Sequence, residues 1–482
     1  MKYLFLALTL LACSSAQAQV KVTQGSNSPD FTLNRQRQVT SFNTNDASYM
    51  VLTRTERFEK INTLIVTDKN SSINIAKEIR INMGVFNDTH EVVSLLVVGN
   101  TPVVFIENHN KASGKNTLTA RMVDKAGNVS STEMAIGSVD FTKITNSGDW
   151  YTSLTPDKKH VAIISKLPYE KNQPEQFKYY LLDDQLKEVS KGQFSFEGNT
   201  KKISVFDFMA SDKGDYYIIS EDYDKTYKFP ILYKFSEGGK GNIIPVMMAD
   251  PDLKNLSYTS TVNPQGDLIM AGYTQKNQTF TVGDTKATGT WLFNSLKPNE
   301  VKTFKFDAPL TNCIARNIVY NGDTFYLVGE QYKAEKEPNR ATGMAALSAP
   351  EIFNYTHNDI MVTAFSITGD KKFELSLSRR WNSRDTDSEF MVASGIINNK
   401  LALIYNDAYG KYIDDNYYRN NKLPVAVLIN NDGLMENPIT FAKDLDVKVS
   451  SYTLHPQFFG NNAGQMVLLS VNASSVKAIT FK

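Results

Sequence analysis

Asp212-Lys213-Gly214-Asp215-Tyr216-Tyr217-Ile218-Ile219-Ser220 sets a tight polar turn directly before four apolar residues and a small polar one. Gly and Asp supply the backbone geometry of short hairpin turns. An apolar run of this length, bounded by turn residues, fits a strand buried on both faces. The unit recurs. Its other apolar tetrads are Tyr49-Met50-Val51-Leu52, Val103-Val104-Phe105-Ile106, Val161-Ala162-Ile163-Ile164, Leu268-Ile269-Met270-Ala271, Phe325-Tyr326-Leu327-Val328, Leu401-Ala402-Leu403-Ile404 and Met466-Val467-Leu468-Leu469. Successive tetrads begin 52 to 76 residues apart, a period slightly above the ~40–50 residues of a propeller blade.

Around the tetrad at Tyr216, the runs Val205 to Ala210, Pro230 to Phe235 and Ile243 to Met248 complete a four-stranded unit. Helical spacing is absent over comparable lengths, apart from a short stretch at Thr342 to Phe353. The expected fold is therefore all-β: a β-propeller of eight blades, each of four antiparallel strands. The last unit, Val449 to Lys482, supplies only three strands. Unpaired strand edges invite aggregation, so the segment from Val20 to Leu33 is expected to close the ring as the fourth. A pair of packed β-sandwich domains is the alternative, but eight sequential units of like spacing are hard to divide between two sandwiches.

Lys2, the apolar run Tyr3 to Ala12 and the small residues Ala16-Gln17-Ala18 read as a secretory signal peptide cleaved after Ala18. Residues 1–18 are thus excluded from the fold, leaving 19–482 as a single propeller domain. A second reading takes Leu10-Leu11-Ala12-Cys13 as a lipoprotein box, with a lipid on Cys13 as an N-terminal anchor. Neither reading places a transmembrane segment later in the chain, where no run approaches the ~20 apolar residues one needs. The expected compartment is outside the cytoplasm: periplasmic, outer-membrane-associated or extracellular. Cleavage leaves Cys313 as the one cysteine, so a large core rather than a disulfide must hold the fold.

Lys and Arg number 52 against 51 Asp and Glu, without a basic stripe. Nucleic acid is therefore not an expected partner, since phosphate binding requires a concentrated positive field.

On its repeat and signal peptide, the chain resembles secreted bacterial β-propeller proteins of the Tyr-, Asn- and Lys-rich kind found in Bacteroidetes-type bacteria, whose function is uncharacterised. The resemblance covers the mature chain, without a Trp-Asp blade ending or a kelch double glycine. It implies a fold and a compartment, not catalytic residues, because propellers host binding modules and enzymes alike.

Connections after the second strand of several units read as long: Ser165 to Phe177, Gly272 to Thr290, Gly329 to Asn358 and Tyr405 to Leu423. In a propeller these share one face, which is where function is expected. The last of them is the densest in recognition chemistry, with Tyr409, Tyr412, Tyr417 and Tyr418 among Asp414, Asp415 and Arg419. Tyrosine offers rigid contact area with a polar tip; the same rings could instead pack the loop onto its own blade. These residues, with His357 at the end of the preceding connection, are the candidate ligand-binding set.

Asp385, Asp387 and Glu389 offer hard oxygen ligands, yet the glycine of a calcium loop is missing and a solvated charge run explains them as well. The five histidines, His90, His109, His160, His357 and His455, stand alone in sequence. Cys313 reads as a small buried hydrophobe rather than a nucleophile. No phosphate-cradling, dinucleotide or Gly-x-Ser-x-Gly motif occurs, and no cofactor is expected. The preferred functional reading is a non-catalytic propeller that binds a protein or glycan at the cell envelope. The rivals are a hydrolase or lyase of sugars or peptides, with acids drawn from several blades around the channel, and a scaffold subunit of an envelope complex.

Overall fold

Val161, Ala162, Ile163 and Ile164 are all fully buried, and alternate residues go to different neighbours. Val161 and Ile163 pack with Val103 and Phe105 of the preceding blade, while Ala162 and Ile164 pack with Tyr216 and Ile218 of the following one. A strand sandwiched in this way needs apolar side chains on both faces, which explains the unbroken runs in the sequence.

The structure is a computed structural model that describes residues 20–25, 37–43, 47–56, 59–79, 84–85, 88–124, 126–224, 227–236, 241–276, 284–337, 352–384, 389, 391–414, 421–441, 453–462, 464–472 and 475–482. It forms an eight-bladed β-propeller of antiparallel sheets. Blade three shows the plan: Asp149–Leu154, Val161–Lys166, Gln176–Leu182 and Glu188–Ser195 pair in chain order. The first strands of successive blades touch one another and therefore surround the axis. Each tetrad lies in the second strand of its blade.

Ring closure takes the form the sequence predicts. Val22–Gln24 pairs antiparallel with Ser475–Phe481 in the register Val22 to Phe481, Thr23 to Thr480 and Gln24 to Ile479. The Lys21 amide donates to the Lys482 carbonyl at 2.8 Å, and the Lys482 amide returns the bond at 2.9 Å. Apolar packing crosses the same seam, where Met50, Leu52 and Ile65 of blade one meet Val467, Leu469, Val476 and Ala478 of blade eight.

One face of the ring is made of short turns whose polar residues cap the backbone. Asn263 accepts the Asp267 amide at 2.8 Å, and Gly266 follows at φ +93°. The Ser211 hydroxyl accepts the amides of Lys213 and Asp215, and Asn398 and Asn399 adopt the left-handed region that a two-residue hairpin requires.

The opposite face is less loop-rich than the sequence implies. The connection read as Gly329 to Asn358 is strand at both ends, where Thr324–Lys336 and Phe353–Ser366 stay paired and Trp381–Arg384 joins as a third strand; residues 338–351 lie outside the described set. Continued pairing satisfies backbone groups that an open loop would have to hydrate. Leu268–Lys276 and Lys286–Asn294 shorten the Gly272 to Thr290 connection likewise. Of the stretch read as a short helix, Phe353 opens a strand and residues 342–351 lie outside the described set.

Candidate functional site

The first strands of blades two and five, Asp88–Val98 and Leu253–Val262, carry matching irregularities against their neighbours, between Val92 and Ser94 and between Asn255 and Ser257. A bulge re-aims the extra residue. Here Val93 and Leu256 border hollows along the first strands while packing, partly buried, against the core between blades.

The larger hollow has a volume of ≈ 630 Å³ and is walled by the first strands of blades two, three and four. Glu91, Glu107, Asp149 and Asp207 contribute carboxylates to it, Trp150, Tyr151 and Phe206 contribute rings, and among the described residues no Lys, Arg or His lines it. Phe206 also borders a second hollow of ≈ 380 Å³, lined by Glu221, Lys228, Asn255, Tyr258 and Gln275 among others. Phe206 is 66 % exposed, although Phe208 two residues on is buried between blades three and four.

Burial raises the pKa of the Asp207 carboxyl, against the opposing effects of the Phe208 amide and the Ser260 hydroxyl. The Tyr258 phenol donates to Glu221 at 3.2 Å, and Lys228 meets the other Glu221 oxygen at 3.0 Å. At the edge of the larger hollow, Ser147 Oγ lies 2.9 Å from His109 Nδ1, and His109 Nε2 lies 3.1 Å from Glu107. The hydrogen bond with Glu107 raises the His109 pKa; burial opposes it, and the charges of Glu107, Asp149 and Glu91 reinforce it. Hydroxyl, imidazole and carboxylate thus stand in a series that can pass a proton.

The residues singled out from sequence lie around blades six and seven. Tyr409 is 1 % exposed and belongs to the core between these blades, against which Tyr412 is partly buried. The Tyr412 phenol donates to buried Asp407 at 2.8 Å. Lys411 also reaches Asp407, and its Nζ donates to the Ser378 carbonyl of blade six at 3.2 Å. Burial pushes the Tyr405 phenol up to about 12, with the Asp407 charge adding to the shift. Asp414 is exposed, while Asp415, Tyr417, Tyr418 and Arg419 lie outside the described residues.

His357 is fully buried, with Nδ1 3.2 Å from Glu330. Glu330 is the hub of an ionic cluster, accepting from Arg379 Nη2 at 2.6 Å and from Arg316 Nε. Asp385 and Asp387 lie outside the described residues; Glu389 is partly buried and paired with Lys422. Among the described residues, no group of three or more His, Cys, Asp and Glu side chains could hold a metal ion. Cys313 is buried as expected, and burial pushes its thiol up to about 12.

Sequence reasoning missed the hollows. Glu91, Asp149 and Phe206 come from three blades, so no local motif marks them.

No protein-family model matches the chain, and no curated protein does either. Solved structures align with the chain at low identity. The β-propeller domain of the Trilobed protease from Pyrococcus furiosus is 8 % identical with a TM-score of 0.37, over 84 % of this chain and 95 % of that one. An acylaminoacyl peptidase from Pyrococcus horikoshii is 8 % identical with a TM-score of 0.34, over 90 % of this chain and 57 % of that one. A member of the DUF4221 family from Bacteroides vulgatus is 11 % identical with a TM-score of 0.29, over 87 % and 99 %. Among the described residues, no helix is long and apolar enough to cross a membrane.

Proposed function

We propose that this chain is an exported, non-catalytic binding propeller that recognises a protein or glycan at the cell envelope through the face opposite its short turns. The observation that carries this reading is the ≈ 630 Å³ hollow beside exposed Phe206. It has the size of a small-ligand site and combines aromatic surface with a few converging polar groups. From its sequence, the tyrosine-rich connection Tyr405 to Leu423 is included in the same candidate surface. Export rests on the reading of residues 1–18 as a signal peptide.

The test is capture from envelope extract together with a glycan array, using wild type, Phe206→Ala and the double variant Tyr417→Ala/Tyr418→Ala. Loss of a ligand with either variant, at unchanged thermal stability, supports the reading. Equal retention of every ligand by all three proteins would overturn the site assignment, and absence of any ligand would overturn the function.

A second reading, a hydrolase or lyase of sugars or peptides, is favoured by the Ser147, His109 and Glu107 series and by the acids of the same hollow. Labelling by a fluorophosphonate that disappears with Ser147→Ala would establish it. No labelling, with no turnover of polysaccharide or peptide substrates, would remove it.

A further inference from the structure

Phe206 leaves most of its ring in water immediately before a strand whose next apolar residue, Phe208, is buried. The backbone there is fixed: the Phe206 amide donates to the Ile219 carbonyl at 2.8 Å. The ring is therefore held at the shared border of two hollows, of ≈ 630 and ≈ 380 Å³. Exposed aromatic surface in a concave wall is surface available to a ligand.

Several of the groups around it are polar and planar. Asp207 and Glu221 present carboxylates, Asn255 and Gln275 present amides, and Tyr258 presents a phenol. Several are already held by the protein. Asp207 accepts its neighbour's amide at 2.8 Å and the Ser260 hydroxyl at 3.5 Å; Asn255 accepts from Trp291 Nε1 at 3.2 Å; Tyr258 is tied to Glu221. Such preorganised groups lose little rotamer freedom when a ligand binds.

From this arrangement we propose that the channel mouth is a saccharide subsite, in which the apolar C–H face of a pyranose ring stacks on Phe206 while its hydroxyls bond to Asp207, Glu221, Asn255, Tyr258 and Gln275. A pyranose has one C–H-rich face and a rim of hydroxyls that both donate and accept, matching a ring surrounded by carboxylates and amides. A protein partner would instead favour a broad surface with an apolar centre. The inference rests on the binding reading above and names the ligand class for the same face.

The test uses saturation-transfer NMR with methyl β-glucopyranoside, methyl β-galactopyranoside, methyl α-mannopyranoside and N-acetylglucosamine, on the mature chain and its Phe206→Ala and Phe206→Tyr variants. The exposed position allows both variants to fold, which thermal denaturation verifies. Transfer to the ring C–H protons of at least one pyranoside is expected with wild type and Phe206→Tyr, with affinity about tenfold weaker in Phe206→Ala. Equal transfer in wild type and Phe206→Ala would overturn the subsite. Absence of transfer from every saccharide would also overturn it. If envelope extract then still yields a protein whose capture depends on Phe206, the binding reading survives alone; if it yields nothing, both fall.

Discussion

Arg379 Nη2 meets Glu330 at 2.6 Å, and both side chains are fully buried. The pair ties the segment after the fourth strand of blade six to that blade's second strand. Arg316 and His357 reach the same carboxylate. Burial alone would raise the Glu330 pKa; Arg316, the His357 hydrogen bond and Arg379 together hold it far below the usual carboxylate range.

Replacing Glu330 with alanine leaves buried guanidinium charge uncompensated and should cost about 3–5 kcal/mol, read as a lowered denaturation midpoint. The sign with pH follows from the depressed pKa. The stabilisation is fully present above the ordinary glutamate value of about 4.3 and is lost as pH falls from there toward the folded-state value. Glu330→Gln should therefore flatten the wild-type loss of stability below about pH 4.3, and an unchanged acid limb would refute the assignment.

His109 should titrate above an ordinary histidine in a proton NMR titration, because Glu107 favours its charged form. Glu107→Gln should bring it back down. With a raised folded-state pKa, the contribution to stability is present below the unfolded value of about 6.5 and disappears as pH rises through the folded one. A His109 pKa that is identical in both proteins contradicts this.

Tyr412→Phe keeps the ring but takes a donor from buried Asp407, which retains Lys411 and the Ala408 amide. A loss of about 1–2 kcal/mol in chemical denaturation is expected. Tyr412→Ala should cost more, since it also removes packing against the core between blades six and seven. Equal stability of wild type and Tyr412→Phe would show that the phenol does not hold the loop.

Much of the ring could be read from the sequence, because burial on both faces is written as unbroken apolar runs such as Val161 to Ile164. The closing strand was legible from the arithmetic of a three-stranded last unit. The channel hollows were not, since Glu91, Asp149, Asp207 and Tyr258 meet only through the circular arrangement of four blades. Tyrosine density likewise does not tell which rings turn inward. Tyr409 goes to the core and Tyr412 to Asp407, and neither destination is visible in a stretch that is polar on all sides.

The seam depends on a glycine. A Cβ on Gly25 would lie 1.6 Å from the Ser71 carbonyl oxygen, so Gly25→Ala must move backbone. Deleting residues 19–35 removes the closing strand altogether and should cost several kcal/mol by exposing an edge. Gly25→Ala should lie between wild type and the deletion in thermal midpoint, with faster proteolysis near the N-terminus. Three equal midpoints would mean that the ring does not need its clasp.

Residues 22–24 pair with residues 479–481, which are synthesised much later than they are. Until that later segment exists the early strand lacks this partner, and the contact it finally makes joins segments far apart in sequence. Such contacts form late, because the entropy of bringing distant segments together must be met before they stabilise anything. Closure of the ring is thus coupled to synthesis of the strand Ser475–Phe481. A chain that stops before its last strand keeps two sticky ends and is marked as unfinished by its own geometry.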